Sequence, residues 1–200
     1  MKGLLGGILV LAFGLAPAGA AAQASSTTLF LVAKPGMPDA NFRESVVLVT
    51  QGELAQAIGV IINRPTNRSL AEVLPGERFK RFTEPVFFGG PVASNGLLAV
   101  FRAENPPGEA LTMLPGLHLA LHPETIDELL KNPSLIIRFF TGFSGWGPGQ
   151  LRGELERGDW LVVDADADTV FRKDVSNLWR EMVRRASAVR ADAGAPLTLH

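Results

Sequence analysis

Three runs in the first third of the chain, Leu29–Ala33, Ser45–Thr50 and Ala57–Asn63, are almost continuously apolar and rich in Val, Ile and Leu. A strand with one solvated face alternates apolar and polar residues, so strands apolar at nearly every position must be buried on both faces. The turn-forming Gln51-Gly52 and polar Glu53 between the second and third runs predict an antiparallel pair there. Leu135–Phe140 and Trp160–Asp164 read as two further strands.

Helical segments alternate with these strands. Ser69-Leu70-Ala71-Glu72 fits a capping box, and Pro75-Gly76 is expected to end that short helix. Pro123 to Lys131 carries Pro at the first helical position, an Ile126, Leu129 and Leu130 stripe, and a stop at Asn132-Pro133. A helical turn is expected over Leu151 to Glu156. The last helix is predicted from Val175 to Val189, because Val175, Leu178, Trp179, Met182, Ala186 and Val189 share one face while Arg180, Arg184 and Arg185 lie off it. The expected fold is α/β of the α+β type: one compact domain with a mixed, largely antiparallel sheet, short flanking helices and a carboxyl-terminal amphipathic helix.

Met1-Lys2, the uncharged Leu4 to Leu15 and the small-residue run Pro17 to Ala22 have the three-part form of a secretory signal, with cleavage expected near Ala20 or Ala22. The alternative is an uncleaved membrane helix, since Gly3 to Ala22 is about as long as a spanning segment. Gly, Ala and Pro17 weaken that alternative. The expected organisation is a signal over residues 1–22, a domain over 23–190 and a disordered tail over 191–200, with the mature protein periplasmic and not stably held by a membrane. With 46% apolar and 20% charged residues the chain is composed like a globular protein, and the absence of Cys is harmless in an oxidising compartment. Lys plus Arg total 19 against 20 Asp plus Glu, so no whole-protein field draws nucleic acid, which is not an expected partner.

No complete catalytic or metal constellation is present. Thr141 to Leu151 is glycine-rich and placed between a strand and a helical turn, which admits two readings: an anion nest at a helix start, or a strained turn with Trp146 as a core anchor. The second is favoured, because glycine-rich turns far outnumber anion sites. Gly142-Phe143-Ser144-Gly145-Trp146 lacks the final glycine of a serine-hydrolase elbow, and only His200 follows the serine as a possible base. His118 and His122 lack the accompanying Glu of a zinc motif and read as partly exposed residues on a strand edge. Asp164-Ala165-Asp166-Ala167-Asp168 opens like a calcium loop but has Thr169 and Val175 where Gly and Glu are needed. No cofactor is expected.

Several segments in order resemble the YqgE/AlgH family of bacterial proteins. They are Phe30-Leu31-Val32-Ala33 with Pro35 and Met37, Asn41-Phe42-Arg43 with Ser45-Val46-Val47, and Gly59 to Pro65. Phe88-Gly89-Gly90-Pro91-Val92 and Gly145 to Leu151, with Glu154 and Trp160, follow. The resemblance implies a compact mixed α/β domain and carries a regulatory label, because some relatives are described as transcriptional regulators of exopolysaccharide genes. It supplies no catalytic residues. An exported member meets no chromosome, so the expected role is a non-catalytic binding or regulatory module for a small anionic ligand or protein partner, with a hydrolase or transferase on an anionic substrate as the alternative. The expected site is a groove where strand-following loops converge, contributed by Asn63, Arg64, Gly89, Gly90, Gly145, Trp146, Gly149 and Gln150.

Overall fold

A computed structural model describes residues 27–51, 56–74 and 76–194. The expected signal segment, the Gly52-Glu53 part of the expected turn, Pro75 and residues 195–200 lie outside the described residues. The described residues form ten strands and five α-helices: β1 (Thr27–Ala33), β2 (Val46–Gln51), β3 (Ala57–Ile61), β4 (Pro65–Ser69), α1 (Leu70–Val73), β5 (Pro85–Phe88), β6 (Val92–Arg102), β7 (Leu111–Leu114), β8 (Leu117–Ala120), α2 (Pro123–Lys131), β9 (Ile137–Trp146), α3 (Gln150–Glu156), β10 (Trp160–Asp164), α4 (Ala167–Val170) and α5 (Leu178–Gly194). The strands run in the order β10-β1-β2-β3-β9-β6-β8-β7, with β5 on β9 and β4 on β5. All pairings are antiparallel except β5 with β9, so the sheet is mixed and mostly antiparallel.

The doubly apolar runs are explained by three cores. Phe30, Val32, Val46, Leu48, Val60 and Phe140 point into the concave side of the curled sheet, where α5 inserts Leu178, Met182 and Ala186. The alternate residues Leu31, Val47, Val49 and Ile61 face a second core covered by α3. Ala99, Phe101 and Phe139 face a third, covered by α1 and α2. The curl brings β7 back toward β1, and the Thr28 hydroxyl donates to the Met113 carbonyl.

Strand β9 unites the two halves of the sheet. Its Ile137–Phe143 stretch pairs with β6 along one edge, while the other edge serves β5 at Phe140–Thr141 and β3 at Ser144–Trp146. The expected strand end at Phe140 is therefore a correction: the chain stays extended through Thr141–Trp146, and only Gly147-Pro148-Gly149 turns. Small residues are needed because backbones cross here. A Cβ on Gly89 would lie 2.2 Å from the Gly142 carbonyl oxygen, and one on Gly90 2.4 Å from the Phe143 carbonyl.

The α2 boundaries, β10 and the β2–β3 pairing agree with the sequence reading. The capping box forms, with the Glu72 carboxylate accepting from the Ser69 amide at 2.7 Å and its hydroxyl at 2.8 Å, bonds that hold the carboxyl below its ordinary range. Helix α5 starts three residues later than expected, because Asp174 instead accepts from the Ser176 amide and hydroxyl in a local turn that competes with helix. It also runs on to Gly194, past the expected start of the tail at 191.

Gly142 sits at φ +67 with the Gly90 carbonyl 2.4 Å and the Val92 carbonyl 2.9 Å from any added Cβ. Gly142→Ala should cost about 2 kcal/mol or more, because the new methyl meets backbone that cannot yield. Gly147→Ala, with open space around it, should stay within about 0.5 kcal/mol. Urea unfolding of the two variants checks this, and equal stability would remove the crossing as a constraint.

Candidate functional site

The turn after β3 places Asn63 and Arg64 against the segment leading into β2. Asn63 Oδ1 accepts from the Val46 amide at 2.8 Å and its Nδ2 donates to the Glu44 carbonyl at 2.9 Å. Arg64 donates to the carbonyls of Asn41 at 2.5 Å and Arg43 at 2.6 Å. Glu44 is held at φ 55, a left-handed backbone that non-glycine residues seldom adopt, and the Asn63 bond fixes it there.

Opposite this turn lies the entry to α5, and between them is a cleft of about 480 Å³. Its charged lining is Arg43, Arg64, Lys173 and Arg180 against Glu44 and Asp174. Arg64 has no carboxylate within ion-pairing distance among the described residues; burial pushes its guanidinium below its ordinary value, with Asp39 opposing. Trp179 forms part of the floor and is fixed by donating its indole N–H to the Ala33 carbonyl at 2.8 Å. The neighbouring Arg172 grips Glu181 through two bonds of 2.5 and 2.9 Å, which lower the Glu181 carboxyl and anchor the turn to α5.

The other six residues of the expected groove are not in this cleft. Gly89 and Gly90 are buried backbone at the β5–β9 crossing, where the Ser144 hydroxyl donates to the Gly89 carbonyl at 3.0 Å. Gly145 belongs to β9, and Gly149 precedes the first turn of α3. Trp146 is a core anchor: it packs with Phe42 and Trp160 at ring separations of 6.1 Å and shares one acceptor with Trp160. Glu154 Oε2 accepts from both indole N–H groups at 2.8 Å, and its Oε1 accepts from Gln150 Nε2 at 2.9 Å. The convergent groove is thus divided into a cationic cleft and an aromatic clip on another face of the sheet.

Other candidates resolve similarly. His118 is a correction, since it is buried on an interior strand, with Nε2–H donating to the Ala103 carbonyl at 2.9 Å. His122 is exposed and starts α2. Asp166 caps α4 through Thr169, and Asp168 pairs with Arg102. Among the described residues no group of three His, Cys, Asp or Glu could hold a metal ion, and no helix is long and apolar enough to cross a membrane. Arg43, Lys173 and Arg180 are the cleft cations that sequence reasoning did not assign; Arg43 stands inside the Asn41-Phe42-Arg43 motif, and Arg180 lies off the apolar face of the last helix.

Residues 30–189 match the family described as DUF179, AlgH-like. A UPF0301 protein from Myxococcus xanthus is 34% identical over 158 residues, spanning 77% of this chain and 87% of that protein. Another from Streptomyces avermitilis is 36% identical over 170 residues, spanning 80% and 86%. The solution structure of the AlgH protein from Pseudomonas aeruginosa is similar at a TM-score of 0.63 and 27% identity, covering 86% of this chain and 90% of that one.

The two indole N–H groups on Glu154 make it a structural residue. Glu154→Ala should destabilise by about 2 kcal/mol or more, because it strands two largely buried donors. Gln150→Ala, at an exposed position, should cost less than about 1 kcal/mol. Thermal unfolding followed by tryptophan fluorescence distinguishes them, and a Glu154→Ala protein as stable as the parent would contradict the clip.

Proposed function

The chain belongs to the AlgH-like DUF179 family, also described as UPF0301, and we propose that this member is a non-catalytic module that binds a small anionic ligand in the cleft between Arg64 and Arg180. The observation that carries the proposal is the cleft's charge: four cations and two carboxylates in a chain whose total charge is -1. A local excess of positive charge in a concave site raises the concentration of anions there. Arg43 and Arg64 come from one side and Lys173 and Arg180 from the other, so a ligand with two or more negative groups would bridge the walls.

Binding is favoured over hydrolysis by the state of the hydroxyls. Ser176, in the cleft, donates to Asp174 at 2.7 Å, but the two bonds from Ser176 hold that carboxyl below its ordinary range and make it a weaker base. Ser144 is fully buried and committed to a backbone carbonyl. Arg64 spends its terminal nitrogens on carbonyls, so its contribution is a fixed charge that also orders the opposite wall.

Calorimetry with citrate and pyrophosphate as probes tests the proposal. Arg43→Ala and Arg180→Ala should each weaken binding by about threefold or more at low salt, with melting temperature nearly unchanged. Binding by both variants equal to the parent, or turnover of pyrophosphate, would overturn it.

A further inference from the structure

A second cation has no role in that cleft. Arg138 is the second residue of β9, on the face that looks into the concave core, and is only 4% exposed. Its terminal nitrogens donate to the carbonyls of Val170 at 2.6 Å and Arg172 at 2.9 Å, and its guanidinium stacks 4.2 Å from the Phe87 ring centroid. Its Nε–H has no acceptor. Among the described residues no carboxylate comes within ion-pairing distance of it. Burial lowers its pKa and Glu84 opposes the shift, but an arginine stays charged in a protein.

A buried charge left unpaired is costly, and two carbonyl acceptors need hydrogen-bond donors rather than a charge. The excess charge faces a feature that would use it. Beside Arg138 is a cavity of about 320 Å³, lined also by Thr83, Glu84, Pro85, Phe87 and Lys173. Thr83 adds a hydroxyl, Phe87 and Pro85 an apolar wall, and Lys173 a second cation at the rim. The one carboxylate in the wall, Glu84, lies 4.0 Å from Lys173 Nζ; both side chains are well exposed and free to swing aside.

We propose that this cavity is a site for a phosphate group, held by the Arg138 guanidinium on the inside and by Lys173 at the rim, with Glu84 as the internal carboxylate that the ligand displaces. Two cations match a dianion better than a single carboxylate, and charge-assisted bonds to arginine are the strong kind. The volume exceeds that of a bare phosphate, and the Phe87 and Pro85 wall suits the carbon part of a small phosphomonoester. Only Lys173 is common to this site and to the Arg64–Arg180 cleft, so the two readings stand or fall separately.

The test follows the arginine Nε–Hε resonances of the isotope-labelled full chain by NMR, assigned through bonds, during titration with inorganic phosphate and then glycerol 3-phosphate. The Arg138 resonance should move with either probe, and further for the ester at equal concentration if the carbon wall is used; equal responses assign the site to free phosphate. Glu84→Gln should tighten phosphate by about threefold, through loss of the competing carboxylate. Arg180→Ala should leave the Arg138 response within twofold of the parent, whereas failure of the cleft reading would appear as unchanged citrate binding in that same variant. An Arg138 resonance unmoved at about 50 mM phosphate, weaker than any specific site, overturns the proposal. So does a Glu84→Gln protein that binds phosphate no more tightly than the parent.

Discussion

One backbone carbonyl joins three strands. The Gly89 oxygen accepts from the Ile61 amide at 3.0 Å and the Ser144 hydroxyl at 3.0 Å, while the Gly89 amide donates to the Thr141 carbonyl at 2.9 Å. The end of β3, the end of β5 and the middle of β9 are thereby held at backbone distance, which is possible only because Gly89, Gly90 and Gly142 present no side chain to each other. Every later feature depends on that approach. Strand β9 serves both halves of the sheet, the sheet curls, and the concave side becomes a space that α5 fills.

The same frame explains how cations are kept near its rim. Arg64 and Arg138 each bond to two backbone carbonyls instead of to a carboxylate. A carbonyl satisfies hydrogen-bonding capacity without neutralising charge, so the positive field survives. Arg172, by contrast, is neutralised by Glu181, and Arg102 by Asp168. The near-zero net charge of the chain conceals this division between cations that are paired and cations that are only anchored.

Much of the architecture was legible because burial on both faces writes itself into a strand. Leu29–Ala33 and Ser45–Thr50 can be read without knowing what covers them, and Pro123 and Asn132-Pro133 mark α2 at both ends. The strands β4 to β8 were not legible: β4 is polar, β6 is exposed over its first four residues and carries Ser94-Asn95-Gly96, and β5, β7 and β8 are only four residues each. The glycines of Thr141–Trp146 pointed to a turn because sequence cannot separate a glycine that bends the chain from one that lets another backbone approach. The site was least legible. Asn63 and Arg64 were found, but Lys173 and Arg180 stand 109 and 116 positions beyond Arg64, and only the curled sheet brings them to the same cleft. Arg138, a lone cation inside an apolar run, was a readable signal.

The account rests on the Gly89 junction being a fixed part of the frame, and native-state hydrogen exchange tests that directly. The amides of Ile61 and Gly89 should exchange only through global unfolding, with the same free energy as the central amides of β2 and β6, because breaking the junction separates the halves of the sheet. Exchange of those two amides through a local opening several kcal/mol below the global value, while β2 and β6 stay protected, would contradict it.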